Sequence, residues 1–401
     1  MKEKNHYVII GSGIAGLSAA EAIRKKDALG EITIVGAEDY LPYYRVKLSH
    51  YISKTFTEQE LLIHNAAWYE ERRINVLLDK NVKKLEILSN TIKLDDGSSI
   101  AYDKLLLATG SHPFIPPIQG NNTDGVFALR TLKDLKHLQS FLKGCETITV
   151  IGGGLLGLEA AWAVKELGKT VNVIEFFPYL LPRQLDEQTA HVFTNELEKK
   201  GLNFYLGVGT QKILGEGKVN GVQLQDGSVV KTDAVLFSAG IRPNLDLVQD
   251  TTIDFDKGIR IDTSMKTNIE NIYAAGDVTE FKSSVMGLWG VANDQGKIAG
   301  ENMAGGNLTY EAIEPNTLLN IGGFSVFSIG NIKDFDNILE TTDEEKKAHY
   351  KLYITQGQLT GAVVMGDMSK VVKVKKLVNS NKDLGQQIEQ GLGAKEIIER
   401  V

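Results

Sequence analysis

Two glycine-rich turns, "GSGIAG" at residues 11–16 and "GGGLLG" at residues 152–157, each follow a short apolar strand and open a helix. A turn of the form G-x-G-x-x-G leaves the N–H groups of a helix N-terminus open to a diphosphate, because glycine lacks the Cβ that would block its approach. In the first turn Gly11 makes the tight bend, Gly13 admits the diphosphate and Gly16 lets helix and strand close together. Gly152, Gly154 and Gly157 take the same parts in the second. The surrounding grammar repeats as well. "YVIIGSGIAGLSAAEAIRK" leads through "EITIVGAEDY" into alternating strands with a "DDGS" hairpin, and "ITVIGGGLLGLEAAWAVKELGKTVNVIEF" leads into the hairpin "VNGVQLQDGSVVKTDAVLFSAG". A repeat on this scale predicts two related dinucleotide-binding domains, and 401 residues call for two or three cores. Beyond residue 310 a strand-rich tail ends in a helix over "VVKVKKLVN". The expected fold class is therefore α/β, with two Rossmann-like domains and a small α+β C-terminal domain.

Each βαβ unit places an acid at the end of its second strand, Glu38 in the first and Glu175 in the second, at the spacing of a carboxylate that binds a ribose hydroxyl pair. Glu175 also chooses the cofactor. NADP would set its 2′-phosphate against this carboxylate, and two unit charges about 4 Å apart repel by roughly 4 kcal/mol at an effective dielectric near 20. Phe176 and Phe177 follow, with no adjacent arginine to relieve the repulsion, so NADH is expected. "YAAGDV" sets Asp277 after an apolar strand, where it can meet a polyol and phosphate chain. "LLLATG" (Thr109, Gly110) and "LFSAG" (Gly240) end strands in small residues, as suits a chain crossing between domains beside a nucleotide. The net charge of −7 argues against nucleic acid as a partner. The apolar runs are too short for a membrane span or signal peptide, which leads to the expectation of a cytoplasmic protein. The single cysteine, Cys145, excludes an intrachain disulfide and a multi-cysteine iron–sulfur site within this chain.

"GSGIAG", "LLLATG", "GGGLLGLE", "SAGIRPN" and "YAAGDV", in this order, resemble the FAD-dependent pyridine nucleotide-disulfide oxidoreductase superfamily. "LPYYRVKLSHYI", "LWGVANDQGKIAG" and the short tail are similar to NADH:rubredoxin oxidoreductases and to the N-terminal region of large-subunit nitrite reductases. The resemblance implies an FAD domain from residues 1–112 and 242–308, an NAD domain at 113–241 and an interface domain at 309–401 that closes over the flavin's edge. It implies that Gly13, Ala15, Glu38, Arg45, Lys47, Thr109 and Asp277 contact FAD, with Trp289 against the flavin ring. Gly154, Leu155, Leu156, Glu175 and Gly240 would line the NADH site, and Glu159 would stand near the flavin's reactive edge. Two departures accompany it: no cysteine stands near the flavin, and His50 occupies a position where related ferredoxin reductases carry lysine, so that Lys47 is expected to supply positive charge there instead.

The function implied is transfer of electrons from NADH through FAD to a small acidic iron protein, rubredoxin first, with Lys47 and Glu159 as the residues nearest the chemistry. A cysteine-independent NADH oxidase and a flavin-bound redox sensor of the apoptosis-inducing-factor type are the alternatives. Lys370, Lys373, Lys375, Lys376 and Lys382 concentrate positive charge in an acidic chain and are the expected docking surface.

Overall fold

The computed structural model describes residues 4–311, 316–380 and 383–400. His6–Ile10 runs between Glu31–Val35 and Lys104–Leu107, all parallel, with Ile74–Leu77 on one edge and Ile272–Ala274 on the other. These strands read as apolar runs because both faces are covered. The helix α1 (Ile14–Lys26) covers one face, and its last turn carries Arg24, Lys25 and Lys26, the sign that suits a helix C-terminus.

The second sheet repeats the first strand for strand. Thr147–Ile151 lies between Thr170–Glu175 and Ala234–Phe237, with Leu202–Leu206 on one edge and Val126–Ala128 on the other. Its helices are α2 (Leu132–Leu142), α3 (Leu155–Glu166) and α4 (Glu187–Lys199). The duplication reaches single turns: Asp96 accepts from the N–H and hydroxyl of Ser98, and Asp226 does the same with Ser228. The fifth strands break the parallel, since the first sheet takes its own from residues after the second, and the second from residues before its glycine turn. The chain crosses between the folds through an antiparallel pair, Ser111–Pro113 with Ile241–Pro243.

The helix α5 (Trp289–Met303) returns to the first fold and packs on α1. Backbones meet there because Gly296 and Gly300 lack side chains. A Cβ at Gly296 would lie 2.3 Å from the Ala15 carbonyl oxygen, and one at Gly300 2.2 Å from that of Ala19.

The tail forms a five-stranded antiparallel sheet over Asn316–Met365, followed by α6 (Val371–Asn379). Its side chains alternate. Val326, Tyr353, Val363 and Met365 join a core shared with the second fold and with Leu48, Ile52 and Leu61, while Phe327, Leu352 and Val364 face α6. Lys351 and Tyr353 bind Asp186, the N-cap of α4, at 3.0 and 2.5 Å. Burial works against ionisation of Asp186, but hydrogen bonds from Thr189, Tyr353 and Lys351 outweigh it and hold the carboxyl down to about 2. A depressed carboxyl stabilises the fold fully above its unfolded value near 4, and this contribution is lost as pH falls toward 2. Lys351→Met should cost about 2 kcal/mol by removing a charged donor from a half-buried carboxylate that keeps its bonds from Thr189 and Tyr353, read as a lower urea midpoint at pH 7.

Candidate functional site

The two glycine turns are built to one geometry. Gly11 and Gly152 both sit at φ +118, where a Cβ would lie 2.0 Å from the Ala108 oxygen in one case and 2.3 Å from the Ser238 oxygen in the other. A Cβ at Gly16 or Gly157 would lie 2.1 or 2.0 Å from the oxygen of Gly11 or Gly152. The middle glycines differ in kind. A Cβ at Gly13 or Gly154 would meet nothing within 4 Å, although each caps a helix that has no side-chain cap. Each turn therefore presents uncapped N–H groups to open space, which is what a diphosphate requires.

Around the first turn the acids are already partnered. Glu38 accepts from Arg45 Nη2 at 2.6 Å and from the Tyr43 hydroxyl at 2.8 Å. Burial first of all pushes the Tyr43 phenol up, which keeps its proton in that bond. Arg45 also donates to the Arg130 carbonyl at 2.7 Å, and Tyr43 accepts from Leu132 N–H, so one end of the groove is tied to the start of α2. Asp277 accepts from Ser111 Oγ at 2.9 Å and Arg130 Nη2 at 3.0 Å. Thr109 and Gly110 are fastened to Asn244, whose side chain donates to the Thr109 oxygen at 2.8 Å. Gly240 accepts from Phe114 N–H at the crossing between folds.

The sides of this groove converge at the start of α5. A Cβ at Gly276 would lie 3.0 Å from that of Ala15, and the Gly276 N–H donates to Gln295 of α5. The α5 N-terminus has no side-chain cap, and the Trp289 indole N–H beside it is buried without a hydrogen-bond partner among the described residues. Two helix N-termini without side-chain caps and an orphaned donor fit a long, anionic, aromatic ligand such as FAD. Glu38, Arg45, Asp277 and Arg130 would hold it.

In the second fold both oxygens of Glu175 are fixed by backbone: Gly153 N–H donates at 2.6 Å and Phe177 N–H at 2.9 Å. The carboxylate is thereby locked to the glycine turn, and Leu156, Phe176 and Phe177 stand exposed around it. This site fits a dinucleotide whose ribose carries free hydroxyls.

Glu159, on α3, accepts from Ser49 Oγ at 2.8 Å. Lys47 does not meet Glu159; its ammonium lies over the Tyr44 ring, 4.2 Å from the centroid, and Tyr44 stacks on Trp289 with centroids 6.2 Å apart. His50, Lys54, Glu159, Trp162 and Gly322 line a cleft of about 420 Å³ where the two folds meet the tail. Cys145 is buried, its thiol pushed up by burial and bonded to the Phe141 oxygen.

The tail helix packs on the sheet face opposite the one that joins the second fold. Lys370 pairs with Glu399 at 3.0 Å, Lys373 donates to the Glu399 carbonyl, and Lys375 lies over the Phe327 ring. Only Lys376 among these four is exposed, and Lys382 lies outside the described residues. Arg130 and Ser49 are the residues that sequence reasoning missed. Arg130 directly precedes the T-x-x-D box that opens α2, a recognisable helix start.

Residues 5–296 match the pyridine nucleotide-disulphide oxidoreductase family, and residues 315–382 match the rubredoxin NAD+ reductase C-terminal domain. The chain is 34% identical to nitrite reductase [NAD(P)H] of Bacillus subtilis over 96% of its length, but spans only 48% of that relative. It is 31% identical to NADH-rubredoxin oxidoreductase of Clostridium acetobutylicum, covering 94% of each chain. The crystal structure of NADH:rubredoxin oxidoreductase from Clostridium acetobutylicum superposes with a TM-score of 0.84 at 30% identity, over 97% of this chain and all of that one. The chain therefore belongs to the pyridine nucleotide-disulphide oxidoreductase family, and its tail matches the rubredoxin NAD+ reductase C-terminal domain.

Proposed function

We propose that the chain passes electrons from NADH through FAD to a small iron protein, with rubredoxin the first candidate. The observation that carries this reading is the pair of identical open turns at Gly13 and Gly154 in a chain whose one cysteine is buried away from both. Residues 1–112 and 242–308 would hold FAD, residues 113–241 NADH, and residues 309–401 would close the assembly. Bound there, FAD would supply the redox chemistry, acceptance of a hydride and release of its two electrons. The chain's own part is placement and electrostatics. Glu38 and Arg45 hold the adenosine end of the FAD groove, Asp277 and Arg130 its middle, and the α5 N-terminus favours negative charge at the far end. Glu159, oriented by Ser49, stands at the reactive edge, and Glu175 selects NADH.

Under anaerobic conditions the yellow protein should oxidise NADH steadily only when rubredoxin is added. Rapid turnover with oxygen alone would instead support an oxidase. That second reading is favoured by 35% identity over 340 residues to NADH oxidase of Methanocaldococcus jannaschii. Flavin reduction with no turnover on any acceptor would support a sensor.

A further inference from the structure

We propose that electrons leave through the layered stack of Trp289, Tyr44 and Lys47, and that the acceptor is a small protein that docks an acidic face on its outer end. This rests on the electron-transfer reading above. Trp289 begins α5 at the convergence of the FAD groove, and its indole N–H is buried and unpartnered among the described residues. Its ring stacks on Tyr44 at an interplanar angle of 30°, and the Lys47 ammonium covers the Tyr44 ring. Trp289 and Tyr44 are partly exposed, and Val46 and Lys47 are exposed. Two neighbouring aromatic rings thus join the groove to the surface and shorten the gap an electron must cross.

Lys47 is the cation at this rim. The carboxylates behind the rim, Glu38 and Asp277, are each matched by an arginine. In physiological salt, charge is felt over about 8 Å, so an acidic partner responds to this local sign rather than to the chain's −7. The tail helix is the competing cationic surface, where Lys370 pairs with the Glu399 carboxylate and Lys373 donates to the Glu399 backbone carbonyl. The step balances as NADH giving NAD+, one proton and two electrons, each electron reducing one ferric acceptor to ferrous.

Carbodiimide coupling of oxidised rubredoxin to the flavin-loaded protein, followed by peptide mapping, should place the new amide at Lys47. Lys47→Glu should lose that cross-link and raise the KM for rubredoxin about tenfold at low ionic strength, an effect that fades with added salt. Lys376→Glu should do neither. Tyr44→Leu should lower the maximal rate of rubredoxin reduction with little change in KM, and Tyr44→Phe should restore it. Cross-links at the tail helix, or an unaltered KM in Lys47→Glu, would overturn the port while leaving the electron-transfer reading intact. If the wild-type protein reduces no rubredoxin, the broader reading falls and takes the port with it.

Discussion

Gly13→Asp should yield a folded, colourless protein, and Gly154→Asp a yellow one that NADH does not bleach. Both glycines have ordinary φ values near −80 and open space beyond the Cα, so a side chain there strains nothing in the protein. It would instead put a carboxylate where the diphosphate approaches. A repulsion of about 4 kcal/mol at 4 Å and an effective dielectric near 20 corresponds to roughly a thousandfold loss of affinity. The checks are absorbance at the flavin band for the first variant and anaerobic NADH titration for the second, with circular dichroism confirming that both stay folded. Gly11→Ala makes the contrast, because its Cβ would strike the Ala108 carbonyl at a positive φ and the fold itself should suffer. A colourless Gly154→Asp protein would show that the two turns had been assigned the wrong way round.

Glu175→Ala should remove most of the preference for NADH over NADPH. The wild-type carboxylate is pinned by two backbone N–H groups and cannot swing aside for a 2′-phosphate. Removing it lifts the repulsion, and the ratio of kcat/KM values for the two nucleotides should move by about two orders of magnitude toward NADPH. The Gly153 N–H loses its acceptor in the same change, so the KM for NADH should rise as well. Measuring kcat/KM with both nucleotides separates the two effects. An unchanged ratio would mean that the discriminating group lies elsewhere.

What could be read from the sequence was local. Both glycine turns, the strands before them and the D-G-S hairpins depend on residues within a few positions of each other, and the structure forms them where the pattern puts them. The pairings between distant residues were not legible. Glu38 and Arg45 were visible as separate candidates but not as one ion pair, and Glu159 meets Ser49 across 110 positions rather than a lysine. Arg130 reaches Asp277 across 147 positions. The tail lysines illustrate the same limit: their number was plain, while the pairing of Lys370 with Glu399 depends on how the last helix folds back. The apolar strand before Asp277 was visible in the sequence, but nothing local says that it joins the first sheet across the inserted segment.

That late edge strand has a consequence for how the nascent chain matures. The first sheet lacks its edge at Ile272–Ala274, and α1 lacks its covering helix, until Met303 has left the ribosome, about two hundred residues after Leu107. At ordinary elongation rates of about 5–20 residues per second this is a wait of tens of seconds. The middle unit, whose strands all lie within residues 126–237, is complete well before then. The half that emerges first is thus the half that finishes last, and during that interval the small-residue face of α1 is the surface a chaperone would find.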